Sequence, residues 1–133
     1  MKKLFLIFSI TAFAVLILYS GCKDTITNSD LNKVVIPDSN VSYAKYIQPI
    51  FNVKCITCHG NGKTDGGVNL TSCSGATADP SIVFPGEPEN SILVWAIEGN
   101  PATQPMPPVG YPTLTQNQIN GIKTWIKEGA QCN

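Results

Sequence analysis

Apolar residues are spread unevenly along the chain. Leu4 to Leu18 is an uncharged run of fifteen residues behind Lys2 and Lys3, the charged head and apolar middle of an export signal. A full membrane span takes about 20 apolar residues, so the run is short for one. Lys23 to Asn40 is polar, rich in Asp, Asn, Ser and Thr, and holds no sustained period. That composition predicts a flexible tether, loose only in part if Val34, Val35 and Ile36 form a short strand or dock on a domain. Helical spacing then begins: Tyr43, Tyr46, Ile47, Ile50 and Phe51 share a face. Pro49 either kinks that helix or starts its second part, where a missing N–H matters least. Ser91 to Ile97 predicts a shorter helix ended by Gly99 and Pro101. At the far end Thr115-Gln116-Asn117-Gln118 reads as a capping box, followed by a stripe of Ile119, Ile122, Trp125 and Ile126 and by Gly129 as the stop. Gly121 interrupts this last helix at a cost of about 1 kcal/mol, which predicts a close crossing there, by the first helix.

Charge removes one class of function. The chain has no arginine, and nine lysines balance nine acidic residues, which leaves no electrostatic footprint for nucleic acid. Tyr19-Ser20-Gly21-Cys22 resembles the cleavage box of bacterial lipoproteins, in which small residues precede a cysteine that becomes lipidated. Cys22 is then a membrane anchor. Tyr19 stands where a leucine is usual, and the alternative is an uncleaved signal anchor with Cys22 left as a thiol. Both readings place the remainder outside the cytoplasmic membrane. Loss of residues 1–21 leaves seven lysines against nine acidic side chains. The organisation expected is a removed signal over 1–21, a lipid-anchored tether over 22–40 and one domain over 41–133.

Cys55-Ile56-Thr57-Cys58-His59 is a C-x-x-C-H run, the attachment signature of c-type haem. Two thiols three positions apart on a helical turn reach the two vinyl groups of one haem, and the adjacent imidazole binds the iron. A zinc site would want a second ligand pair, yet His59 is the sole histidine. A thioredoxin-like pair should follow a strand in a βαβ pattern, and none is legible. Iron ligands are drawn chiefly from His, Met, Cys and Tyr, and Met106 is the single methionine after the signal. It lies in Gln104-Pro105-Met106-Pro107-Pro108, where prolines stiffen the chain and deny it a helix. Met106 is thus the candidate sixth ligand, against a core-filling methionine, ligation by Tyr111 or a lysine, or an open site.

Between Gly60 and Pro112 stand eight glycines and eight prolines in 53 residues, suited to loops around a flat ring that completes a small core. Leu70, Phe84, Ile92, Leu93 and Trp95 are candidates to pack on that ring, or equally plain core residues. Trp95 and Tyr111 carry donors that suit a haem propionate.

The pieces also occur in a familiar order: Pro49-Ile50, Cys55 to Gly60, Gly66-Gly67 with Leu70, Pro85-Gly86-Glu87-Pro88 with Ser91 and Leu93, Met106-Pro107-Pro108, and Trp125-Ile126-Lys127-Glu128-Gly129-Ala130. From Tyr43 to Ala130 the chain resembles small bacterial monohaem cytochromes c. The resemblance implies an all-α cytochrome c fold, with three or so helices and long Gly/Pro-rich loops wrapping one covalent haem c. It implies an electron carrier, not an enzyme, with redox proteins as partners. It implies further that the carbonyl of Val68 accepts from His59 Nδ1. The alternative function is a haem-based sensor or gas-binding domain whose sixth ligand is displaceable or absent. Two cysteines remain, Cys73 and Cys132. In an oxidising compartment an even remainder usually pairs, so a disulfide is expected, against two buried free thiols.

Overall fold

Pro49 has no N–H to give to a helix, and the first helical segment is built around that lack. In the computed structural model, which describes residues 26–60 and 62–133, a π-helical turn, Tyr43–Ile47, comes first. Gln48 N–H closes it on the Tyr43 carbonyl, and the chain tightens into α2, Gln48–Lys54, with Pro49 in its first turn. The expectations at Cys22 and over 1–21 lie outside the described residues. Ahead of this segment a short helix α1, Asn28–Leu31, is capped by Thr27. After it come α3, Ile56–His59, and a two-residue strand β1, Lys63–Thr64, which bridges back to His59 and Gly60. The short helix α4, Cys73–Ala76, and the helix α5, Ile92–Glu98, follow. The long helix α6, Gln116–Lys127, starts from the Thr115 and Gln118 capping box, both halves of which are formed. The described chain is mostly helical with little strand.

The core lies between α6 and the first helical segment. Trp125 sits 5.2 Å from the Tyr43 ring and 6.5 Å from the Phe51 ring, centroid to centroid. Ile47, Ile50, Ile122, Ile126 and, from α5, Val94 are fully buried around them. The chain ends tie this pair together. Asn133 accepts from the N–H groups of Tyr43 and Ala44, each at 2.9 Å, and the Glu128 carboxylate accepts from Asn40 and Val41. These acceptors serve the donors that every helix start leaves without an internal partner.

The close crossing at Gly121 exists, but another segment makes it. A Cβ at 121 would stand 2.7 Å from Ile36 Cγ2 and 2.8 Å from Ile36 Cδ1, so Ile36, and not the first helix, fills the notch. Ile36 and Leu31 are both buried in the core, and Ile36 N–H donates to Asn117 Oδ1 at 3.1 Å. The polar stretch over 22–40 is therefore not loose throughout; from α1 onward it is a strap packed across α6. Its polarity hid this because Ile26, Leu31, Val34, Val35 and Ile36, scattered over eighteen mostly polar residues, do not make a sustained period. Gly121→Val is expected to destabilise the fold by about 2 kcal/mol through overpacking. Urea unfolding reads the loss, and Ile36→Ala in the same chain should return part of it; no recovery would place the strain elsewhere.

Cys73 at the start of α4 is joined to Cys132 by a disulfide, with Cα atoms 5.6 Å apart and a sequence separation of 59. A bridge closing a loop of that length stabilises by on the order of 4 kcal/mol in the chain-entropy account. Cys73→Ser with Cys132→Ser is expected to lower the unfolding free energy by about 2–4 kcal/mol. Denaturant midpoints of the two forms measure it, and equal midpoints would show that the bridge carries no stability.

Candidate cofactor crevice

Cys55 departs from helical geometry, and this break aims the motif. Its carbonyl accepts from the N–H groups of both Cys58 and His59, at 3.1 and 3.0 Å, which folds α3 into a single turn and sets the two thiols on it. Neither thiol is in a disulfide. Burial pushes the Cys55 thiol up to about 12, so at neutral pH it is a protonated thiol and a poor thiolate nucleophile or zinc ligand. Among the described residues no group of three or more His, Cys, Asp or Glu side chains is placed to hold a metal ion.

His59 Nδ1 lies 3.1 Å from a backbone carbonyl, but it is that of Asp65, and not of Val68 as the family resemblance implies. The reason is a tight turn. Asp65–Gly67 is a 3-10 turn with Gly66 and Gly67 both in the left-handed region, at φ 67° and 77°, which curls the Asp65 carbonyl back under the imidazole. Val68 N–H closes onto that same carbonyl. A carbonyl only accepts, so Nδ1 carries the proton and Nε2 is left as the ligating nitrogen. Leu70 N–H donates to the His59 carbonyl at 2.8 Å and secures the loop below the ring.

One cavity of about 390 Å³ is lined by Cys55, Cys58 and His59 from α3 and its approach, and by Met106, Pro107 and Pro108 from a distant loop. Its size falls in the range of about 300–1,000 Å³ usual for cofactor pockets. Val68, Leu70, Ile82, Ile92, Leu93 and Ala96 supply apolar wall. Met106 is held by its own N–H, which donates to the Ala96 carbonyl in α5 at 2.8 Å. The structure thus brings together all four residues that the sequence singles out for the cofactor, and Cys73 and Cys132 stand apart from them. An apolar cavity with two thiols, an imidazole and a thioether at its edge fits a haem ring and its iron.

Two expected ring neighbours belong elsewhere. Phe84 and Trp95 do not line the cavity. Trp95 Nε1 is spent on the Glu89 carbonyl at 2.6 Å, so that donor does not serve a propionate. Tyr111 does line the cavity, as do Leu70, Ile92 and Leu93. A further lining residue, Lys54, escaped the sequence reading. It follows Ile47 by seven positions and Ile50 by four, which places it on the apolar face of the first helical segment; that spacing was the available signal.

Compared with known proteins, the stretch from residue 55 to residue 110 matches the family described as Planctomycete cytochrome C. It begins at the first motif cysteine and contains Met106. No curated protein and no solved structure matches the chain.

Proposed function

We propose, from the premise that this chain carries a c-type cytochrome domain, that it is an electron-transfer protein holding one haem in the crevice between α3, α5 and the Met106 loop. The observation that carries the reading is the assembly of Cys55, Cys58, His59 and Met106, from two separate segments, on one apolar cavity. When bound, haem supplies a one-electron change at its iron. Cys55 and Cys58 would hold it covalently through their sulfurs. His59, its tautomer set by the Asp65 carbonyl, would offer Nε2 to the iron, and Met106 would offer its thioether as a second ligand. With protein ligands at both positions no site is left open for substrate, which favours a carrier over an enzyme. The apolar wall excludes water and lowers the local dielectric, which tunes the potential.

A cytochrome c fold is part of the same proposal, supported by the terminal helix packed on the helical segment that leads into the motif. Export and anchoring belong to this proposal too. The motif needs an oxidising, haem-loading compartment, and the apolar run with Cys22 behind it supplies the address and the lipid anchor. No helix among the described residues is long and apolar enough to cross a membrane. Redox proteins outside the cytoplasmic membrane are the proposed partners. Intact mass of protein produced with haem-attachment machinery tests the reading: the chain should gain the mass of one haem that survives denaturation. A chain that gains none, or gains two, would reject it.

A further inference from the structure

Lys54 is the last residue of α2 and precedes the first motif cysteine. It is only 5 % exposed, and it is one of the residues that line the same cavity as Cys55, His59 and Met106. Two of its three ammonium protons have acceptors, Asn32 Oδ1 at 3.1 Å on the strap and the Thr113 carbonyl on the segment that follows the Met106 loop. The Asn32 amide is oriented by a second donor, Gln118 Nε2, at 3.2 Å. Both acceptors are neutral. None of the ion pairs among the described residues includes Lys54.

A buried charge without a counter-charge is costly and is usually replaced by an apolar side chain or paired. Burial accordingly holds the Lys54 pKa below the ordinary lysine value. A methionine here would continue the apolar face at no such cost, so the stability of α2 does not explain the residue. Its place on the cavity does. In a low-dielectric surround the field of a cation extends to whatever fills the cavity, and it favours the state that carries one more negative charge.

We propose that Lys54 sets the electron affinity of the crevice, its buried, uncompensated ammonium stabilising the reduced over the oxidised form of the bound haem. The inference rests on the function proposed above. One electron from an external one-electron donor, a redox protein, takes ferric iron to ferrous, and no bond is made or broken. Asn32 and Thr113 hold the charge in place without neutralising it, which makes the strap and the segment after the Met106 loop part of the redox site.

Two variants test this by potentiometric titration of the holoprotein. Lys54→Met removes the charge and its hydrogen bonds, and should lower the equilibrium constant for reduction about tenfold, which is about 59 mV for one electron. Lys54→Gln removes the charge but keeps a donor for Asn32 and Thr113, and should lower the constant at least about threefold. Where Lys54→Met fails to retain haem, Lys54→Gln decides alone, because a purely structural lysine leaves the potential of that variant unmoved. A native protein with covalent haem whose potential stays within about twofold in Lys54→Gln overturns the Lys54 proposal and leaves the function standing. A native protein that takes up no covalent haem overturns both.

Discussion

Replacing Cys55 and Cys58 together with alanine is expected to release the haem: acid-acetone extraction should take it entirely from the double variant and leave it entirely on the native chain. Each thiol is unpaired in the structure and lines the cavity, Cys58 from the one-turn helix α3 and Cys55 from its N-cap. The effect should reach beyond the cofactor. A cavity of about 390 Å³ that no ligand fills costs at most about 9 kcal/mol at roughly 24 cal/mol per Å³. That is comparable to the 5–15 kcal/mol by which whole domains are stable. The variant without haem should therefore unfold at much lower denaturant than the native protein, and its near-ultraviolet circular dichroism should weaken. A double variant that keeps haem through extraction would show that attachment lies elsewhere.

Met106→Ala is expected to open the sixth position. Reduced protein should then bind carbon monoxide, which the native protein should resist, and the potential should fall by more than the 59 mV that marks a tenfold change for one electron. Thioether ligation favours the reduced iron, and the variant replaces it with water or nothing. The structure limits how far this change spreads. Met106 is fixed by a backbone hydrogen bond to Ala96, which alanine retains, so the loop keeps its place and only the ligand is lost. Ready binding of carbon monoxide by the native protein would instead favour a gas-binding domain with a displaceable sixth ligand.

Much of this architecture was legible because it is local. The capping box at Thr115 and Gln118, the stop at Gly99 with its left-handed φ of 72° and the restart at Pro49 each depend on neighbours within a few residues. The motif thiols and imidazole are likewise set by one helical turn. What stayed hidden was made by distant partners. Nothing near Gly121 announces that Ile36 will fill its notch, since the two lie on opposite sides of the domain sequence and meet only when the strap crosses α6. Asp65, not Val68, faces His59 because two successive left-handed glycines curl the loop more tightly than the resemblance implies. Trp95 turned its donor to Glu89 because a 3-10 turn, Pro88–Asn90, lies directly ahead of α5. Lys54 is a lone lysine on an apolar helix face, and its register with Ile47 and Ile50, seven and four residues back, is the one local sign that it points inward.

We propose that one crevice holds one iron, with His59 and Met106 as its protein ligands, and passes single electrons. A potentiometric titration of the purified protein, followed by visible absorption with and without carbon monoxide, tests it most directly. The account predicts a single reversible one-electron wave whose midpoint is unchanged by the gas. Two waves, or a midpoint that carbon monoxide raises, would contradict it.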